Sequence, residues 1–133
     1  MNSQLSVYKA SAGSGKTFTL AREYMTLVIA NPHSYRTILA VTFTNKATEE
    51  MKTRILSQLY GIAHGLEESH GYLEQIKKAL PHLTQKQIEK NAGTALSLLI
   101  HNYNYFRVET IDTFFQSVLR NLARELDLTA TLR

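Results

Sequence analysis

The stretch ASAGSGKT, Ala10 to Thr17, fits the spacing [AG]-x4-G-K-[ST] and constrains this chain more than any other feature. Ahead of it, LSVYKA (residues 5–10) is short, partly alternating and ends on a Gly/Ser cluster, as a strand running into a loop does. Behind it, Leu20, Tyr24, Leu27 and Val28 recur at helical spacing until Asn31-Pro32 stops the run, because proline disfavours helix at the residue before it. Strand, glycine loop and helix in that order are the context in which the pattern cradles phosphate. Gly13 and Gly15 let the backbone turn tightly and bring consecutive N–H groups toward phosphate oxygens, which the helix N-terminus also attracts. Lys16 then supplies charge to the β- and γ-phosphates, and the Thr17 hydroxyl coordinates the Mg²⁺ that bridges them. The expected nucleotide-contacting set is Ala10, Ser11, Ala12, Gly13, Ser14, Gly15, Lys16, Thr17 and Phe18, with ATP and Mg²⁺ as ligands. A Ser/Gly-rich turn with a surface lysine is the bland alternative.

Further along, TILAVTF (residues 37–43) is β-rich and nearly continuously apolar, as a central parallel strand covered on both faces should be. Ala47, Met51, Ile55 and Leu59 follow four apart on one stripe of a second helix. Two βα units in tandem predict a parallel α/β sheet. An amphipathic piece around Leu73–Leu80 is closed by Pro81. Thr84 and Gln87 then have the spacing of a capping box, Leu83 with Ile88 that of a hydrophobic staple, and Ile88, Ala92, Leu96, Leu99 and Tyr103 mark one buried stripe. FRVETI (residues 106–111) alternates as a third strand, leading into a helix capped by Asp112 or Thr113, with Phe115, Leu119, Leu122 and Leu126 inward. The expected organisation is two βα units over residues 1–60, a helical insertion over 61–104 and a strand–helix end over 105–133. The final LDLTATLR closes no domain and reads as the end of a fragment.

Composition narrows the class without choosing it. The 133 residues, 44% hydrophobic and 20% charged, amount to one globular domain. A net charge of +4 suits a polyanionic partner but does not demand one. Without cysteine there is no disulfide or thiolate site, and His33, His64, His70, His82 and His101 lack the paired spacing of a helical zinc site. No apolar run approaches a signal peptide or a membrane span, so a cytoplasmic protein with no membrane partner is expected.

Two later blocks carry a family resemblance. VTFTNKATEEMKTRI, residues 41–55, resembles motif Ia of superfamily 1 DNA helicases of the UvrD/RecB type. VETIDTFFQSVL, residues 108–119, resembles their motif Ib, and with the glycine loop the three blocks stand in the family's order. YKASAGSGKTFTLAREYMTLVI is more similar to the RecB-like nuclease-helicase branch, as is the long spacing from Thr42 to Thr110. Phe18 stands where many UvrD-like members have Arg, no upstream glutamine motif is present, and Asp112 stands where the family usually has His.

The resemblance implies a partial RecA-like P-loop core with a helical insertion, belonging to an ATP-dependent helicase that moves along single-stranded DNA. It implies a DNA track on Thr42, Phe43, Thr44, Asn45, Thr110, Asp112 and Thr113, with Lys46 and Arg54 adding charge. The RecB-like branch further implies DNA repair and recombination and a partner subunit in a helicase–nuclease complex. Hydroxyls, an amide and helix-start N–H groups suit phosphate contacts, and an exposed aromatic offers a sequence-tolerant stacking face. The structural alternative has Phe43 in the core, Asn45 as a helix cap, Lys46 solvated and Asp112 capping its helix. Tyr103 and Tyr105 read as helix core or surface. The rival function is a small P-loop nucleotide kinase, whose arginine lid the dispersed Arg36, Arg54, Arg107, Arg120 and Arg124 do not make, or a non-catalytic nucleotide-binding module. Alone, the chain is expected to turn over ATP negligibly, because no hydrophobic strand ending in Asp-Glu is present to hold the metal.

Overall fold

The computed structural model of the chain describes residues 4–7 and 15–126, with side chains from Thr17 onward. It is a mostly helical α/β arrangement: β1 (Gln4–Val7), α1 (Gly15–Ala30), a 3-10 turn Pro32–Thr37, β2 (Ile38–Thr42), α2 (Asn45–Ala63), a 3-10 turn Glu67–Ser69, α3 (His70–Ala79), α4 (Gln85–His101), a 3-10 turn Tyr103–Tyr105, β3 (Arg107–Thr110) and α5 (Ile111–Glu125). The three strands form a parallel sheet in the order β1-β2-β3, with Val7 opposite Val41 and Thr42 opposite Thr110. β2 is thus the central strand, as its apolar run predicts.

One side of that sheet is the core. Ile38, Ala40 and Val108 face Leu20, Tyr24 and Val28 of α1 and Met51, Ile55, Leu59 and Ile62 of α2, all buried in one cluster. α4 packs against both α1 and α2 and adds Ile88, Ala92, Ala95 and Leu99, each with no exposed surface. Each aliphatic side chain buried this way contributes about 1.5–3 kcal/mol relative to exposure. Burial also pushes the Tyr24 phenol well above its usual pKa range, so the ring titrates at no ordinary pH. Asn91 Nδ2 donates to the Ile29 carbonyl at 2.8 Å, satisfying one of the orphan acceptors at the end of α1.

The helix ends follow local chemistry. At the start of α4 the Thr84 hydroxyl accepts from the Gln87 N–H (3.1 Å) and the Gln87 side chain accepts from the Thr84 N–H (2.8 Å), the reciprocal box that the sequence predicts. α2 ends on Gly65 at φ +67°, where only glycine avoids a side-chain penalty. There Leu66 N–H donates to Gly61 O at 2.8 Å and Gly65 N–H to Ile62 O at 3.3 Å, closing the helix in a Schellman turn. Gly61 itself has no room for a Cβ, which would overlap the Ser69 hydroxyl.

Three expectations are corrected. Ala95 is buried in place of Leu96, which is only partly so, and Tyr103 is 45% exposed in its own turn. Asn102 causes that exit: its backbone and side-chain nitrogens both donate to Leu98 O, at 2.9 and 3.0 Å, ending α4 before Tyr103. The largest correction is α5, where Phe115, Leu119, Leu122 and Leu126 are 54%, 62%, 46% and 59% exposed rather than inward, and no residue of the helix is buried. Its period identifies an apolar face correctly, but the helix touches only β2 and β3 to any extent. Finally, Thr110, not Asp112 or Thr113, caps α5, because Thr110 keeps the extended backbone of the strand's last residue (φ −73°, ψ 157°). Among the described residues no helix is long and apolar enough to cross a membrane.

Candidate functional site

The edge where β2 and β3 end is built from threonines. Thr42, the last residue of β2, is 1% exposed, and its Oγ1 lies 2.6 Å from Thr48 Oγ1 on α2. The same hydroxyl also lies within donating reach of the carbonyls of Thr44 (3.3 Å) and Glu109 (3.5 Å). Thr42 therefore lies beneath the edge and joins β2, β3 and α2, while its neighbours form the surface.

Phe43 follows in the bend, 49% exposed, so the core alternative for this ring does not hold. Thr44 caps α2 by accepting the Ala47 N–H at 3.0 Å. Asn45 is consequently the first helical residue and not the cap, and both Asn45 and Lys46 are exposed. At the next strand end Thr110, 9% exposed, accepts the Thr113 N–H at 3.2 Å and donates to Thr113 Oγ1 at 3.0 Å. Asp112 and Thr113 stand exposed in the first turn of α5.

Two helix N-termini thus start side by side from adjacent parallel strands. A cap side chain satisfies one first-turn amide, and the remaining first-turn N–H groups and the positive ends of the dipoles favour an anion. α2 has no acid in its first turn, whereas Asp112 partly offsets the field of α5. Phe43, Thr44, Asn45 and Lys46 at one helix start and Thr113 at the other expose a flat ring, hydroxyls and amides at one edge, groups suited to a chain of phosphates with unpaired bases.

Arg54 is not brought to this edge. It lies about 13 Å further along α2 by helical rise, and its Nη1 donates to the Tyr72 hydroxyl of α3 at 3.3 Å.

On the nucleotide side, Ala10, Ser11, Ala12, Gly13 and Ser14 lie outside the described residues. Gly15 and Lys16 are the first two residues of α1, and the Lys16 side chain also lies outside them. Thr17, in the first turn, is 7% exposed. That turn contains no acidic residue to oppose a phosphate at the start of α1. Phe18 stacks on Tyr72, with centroids 4.1 Å apart and planes at 15°. Tyr72 therefore meets both Phe18 and Arg54. Sequence reasoning missed this residue, whose only signal is an aromatic one place ahead of Leu73 in an amphipathic piece. It missed Thr48 as well, the polar residue four positions after Thr44 that interrupts an apolar stripe.

All 133 residues match the family model described as the UvrD/REP helicase N-terminal domain. The RecBCD enzyme subunit RecB of Borreliella burgdorferi is 31% identical over 126 residues, 95% of this chain and 10% of that protein. ATP-dependent DNA helicase UvrD1 of Mycobacterium leprae is 30% identical over 117 residues, 88% of this chain and 14% of that one. A subunit of the ATP-dependent helicase/nuclease of Clostridium novyi is 34% identical over 103 residues, 75% of this chain and 8% of that protein. The chain thus spans about a tenth of the length of these curated relatives. No solved structure matches it significantly.

Proposed function

The chain belongs to the UvrD/REP helicase N-terminal domain family, and from that membership we propose that it is the nucleotide-gripping part of an ATP-dependent DNA helicase that moves along single-stranded DNA. The observation that carries this reading is the pair of threonine-capped helix starts at one edge of the parallel sheet, with Phe43 exposed beside them.

In this reading the strands are part of a RecA-like P-loop core, residues 61–104 are a helical insertion, and residues 105–133 begin the next section of the core. Ala10 to Thr17 would hold ATP, with Lys16 at its phosphates and Thr17 at Mg²⁺, and Phe18 next to them stacks on Tyr72. ATP supplies the free energy of movement when bound and hydrolysed. The chain's own residues grip the polymer: Phe43 stacks a base, Thr44, Asn45 and Thr113 meet phosphates, and Lys46 adds charge at the start of α2. Thr42 and Thr110 position these groups from beneath, and Asp112 sits in the turn that carries Thr113.

The RecB and helicase/nuclease relatives support the RecB-like branch and assembly with a partner subunit, and a role in DNA repair in the cytoplasm completes the proposal. A nucleotide kinase is disfavoured because Arg54 is tied to Tyr72 rather than aimed at the edge where an acceptor would sit.

The test is Lys16→Ala in the full-length protein, with the isolated 133-residue chain as a low-turnover reference. DNA-stimulated ATP hydrolysis should vanish while the circular dichroism and melting curve stay parental, since a charge on the transferring phosphoryl group acts mainly in the transition state. A folded mutant that hydrolyses ATP at the parental rate would refute the loop assignment.

A further inference from the structure

The opposite end of the sheet, where β2 and β3 begin, carries a second set of rings and cations that the proposed helicase site does not use. The 3-10 turns Pro32–Thr37 and Tyr103–Tyr105 lead into those strands. Between them the Arg36 guanidinium lies 4.4 Å from the Tyr105 ring centroid and 5.6 Å from that of Tyr35, whose hydroxyl accepts from Arg36 Nε at 3.1 Å. Beside them Lys52 Nζ lies 4.9 Å from the Tyr103 ring and 6.0 Å from Phe106, against which Tyr103 packs edge-on at 5.8 Å.

Tyr35 and Phe106 are buried and anchor the arrangement, while Tyr103 and Tyr105 are each 45% exposed. Among the described residues neither Arg36 nor Lys52 forms an ion pair with a carboxylate. Residues 24–48 and 90–108, which include both turns, contain no Asp or Glu, while Lys52 comes from α2, where Glu49 and Glu50 precede it without pairing to it. The result is a surface with two half-open tyrosines, each paired with a cation whose charge no carboxylate partner offsets.

We propose that this end of the sheet is a second contact surface for single-stranded nucleic acid, with bases stacking on Tyr103, Tyr105 and the outer plane of Arg36, and phosphates meeting Arg36 and Lys52. The physical case is one of complementarity. Arginine over an aromatic ring presents its other face for a further planar group and its N–H donors at the rim for an anion. A single strand offers both groups in alternation, and a duplex hides the first. The choice of this polymer rests on the function proposed above, whereas the surface shares no residue with the strand-end edge.

The experiment is equilibrium binding of fluorescent mixed-sequence single-stranded oligonucleotides, short and long, to the full-length protein. The variants are Arg36→Ala/Tyr105→Ala, Lys52→Ala/Tyr103→Ala and, for the first edge, Phe43→Ala. Each double variant should bind the long oligonucleotide at least about fivefold more weakly, the lower end for one lost stacked base, and the short one as the parent does. Tyr105→Phe, which keeps the stack, should restore affinity. Arg36→Gln serves where a double variant melts early, and it should reproduce the loss. Parental affinity for the long strand in both double variants would overturn the proposal. So would weakened binding of a poly-glutamate peptide with DNA binding unchanged, which would assign the surface to an acidic protein. A loss confined to the Phe43→Ala variant refutes this surface alone, and a loss confined to the double variants refutes the first edge alone.

Discussion

α2 and α5 begin alike and continue differently. Each starts at the end of a parallel strand, and each is capped by a threonine whose hydroxyl accepts the third helical N–H. α2 then buries Met51, Ile55, Leu59 and Ile62 completely or nearly so, whereas α5 buries nothing, although its apolar stripe of Phe115, Leu119, Leu122 and Leu126 is well formed. Local chemistry is therefore sufficient to start a helix and to give it a face. What the face is worth depends on whether another element reaches it. Over α2 that element is α4, supplied by residues far along the chain.

The most forceful way to break this contrast is truncation of the two faces in the 133-residue chain. Ile55→Ala or Leu59→Ala should cost about 2–5 kcal/mol, the transfer loss plus the cavity left behind. Leu119→Ala should stay within about 0.5 kcal/mol, as an exposed position does. Urea unfolding of the three variants checks this, and equal losses would mean that the stripe of α5 is covered after all.

A smaller effect separates the exposed aromatics of the two regions. Phe43→Ala in the full-length protein should weaken single-strand binding by about 1–3 kcal/mol with little change in salt slope. Phe115→Ala, a ring of similar exposure on the side of α5, should leave affinity unchanged. Fluorescence titration at several salt concentrations reads both, and the contrast collapses if the two variants behave alike.

The finest comparison concerns the caps. Thr44→Ala and Thr110→Ala each remove one hydroxyl-to-amide bond worth about 1 kcal/mol. For Thr44 the loss should appear in global stability, because α2 belongs to the core. For Thr110 it should appear chiefly as faster hydrogen exchange in the first turn of α5, which can fray without disturbing buried contacts. Uniform exchange rates across both helices in both variants would deny that the two regions differ in cooperativity.

What could be read from residues alone follows the same division. The Thr84–Gln87 box, the stop at Asn31-Pro32 and the stripe of Met51, Ile55 and Leu59 were legible because their causes lie within a turn or two. The choice of Ala95 over Leu96 was not, since a pattern advanced by four drifts off a helix that turns every 3.6 residues. The exposure of α5 was illegible for a deeper reason: periodicity reports that a face exists and is silent about its partner. Tyr72 and Thr48 escaped notice because each matters through residues distant in sequence or on another element, Phe18 and Arg54 for one, Thr42 for the other. The glycine loop, by contrast, was legible as a pattern and lies outside the described residues through Ser14.

The Thr42–Thr48 contact can run in either direction. Thr42 owns a single hydroxyl hydrogen, which it gives either to Thr48 Oγ1 or to the carbonyl of Thr44 or Glu109. Where it goes to a carbonyl, the short contact at 2.6 Å is donated by Thr48. The two threonines are unequal: valine at 48 removes one partner from a hydroxyl that still reaches two carbonyls, whereas valine at 42 removes the hydroxyl that all three contacts share.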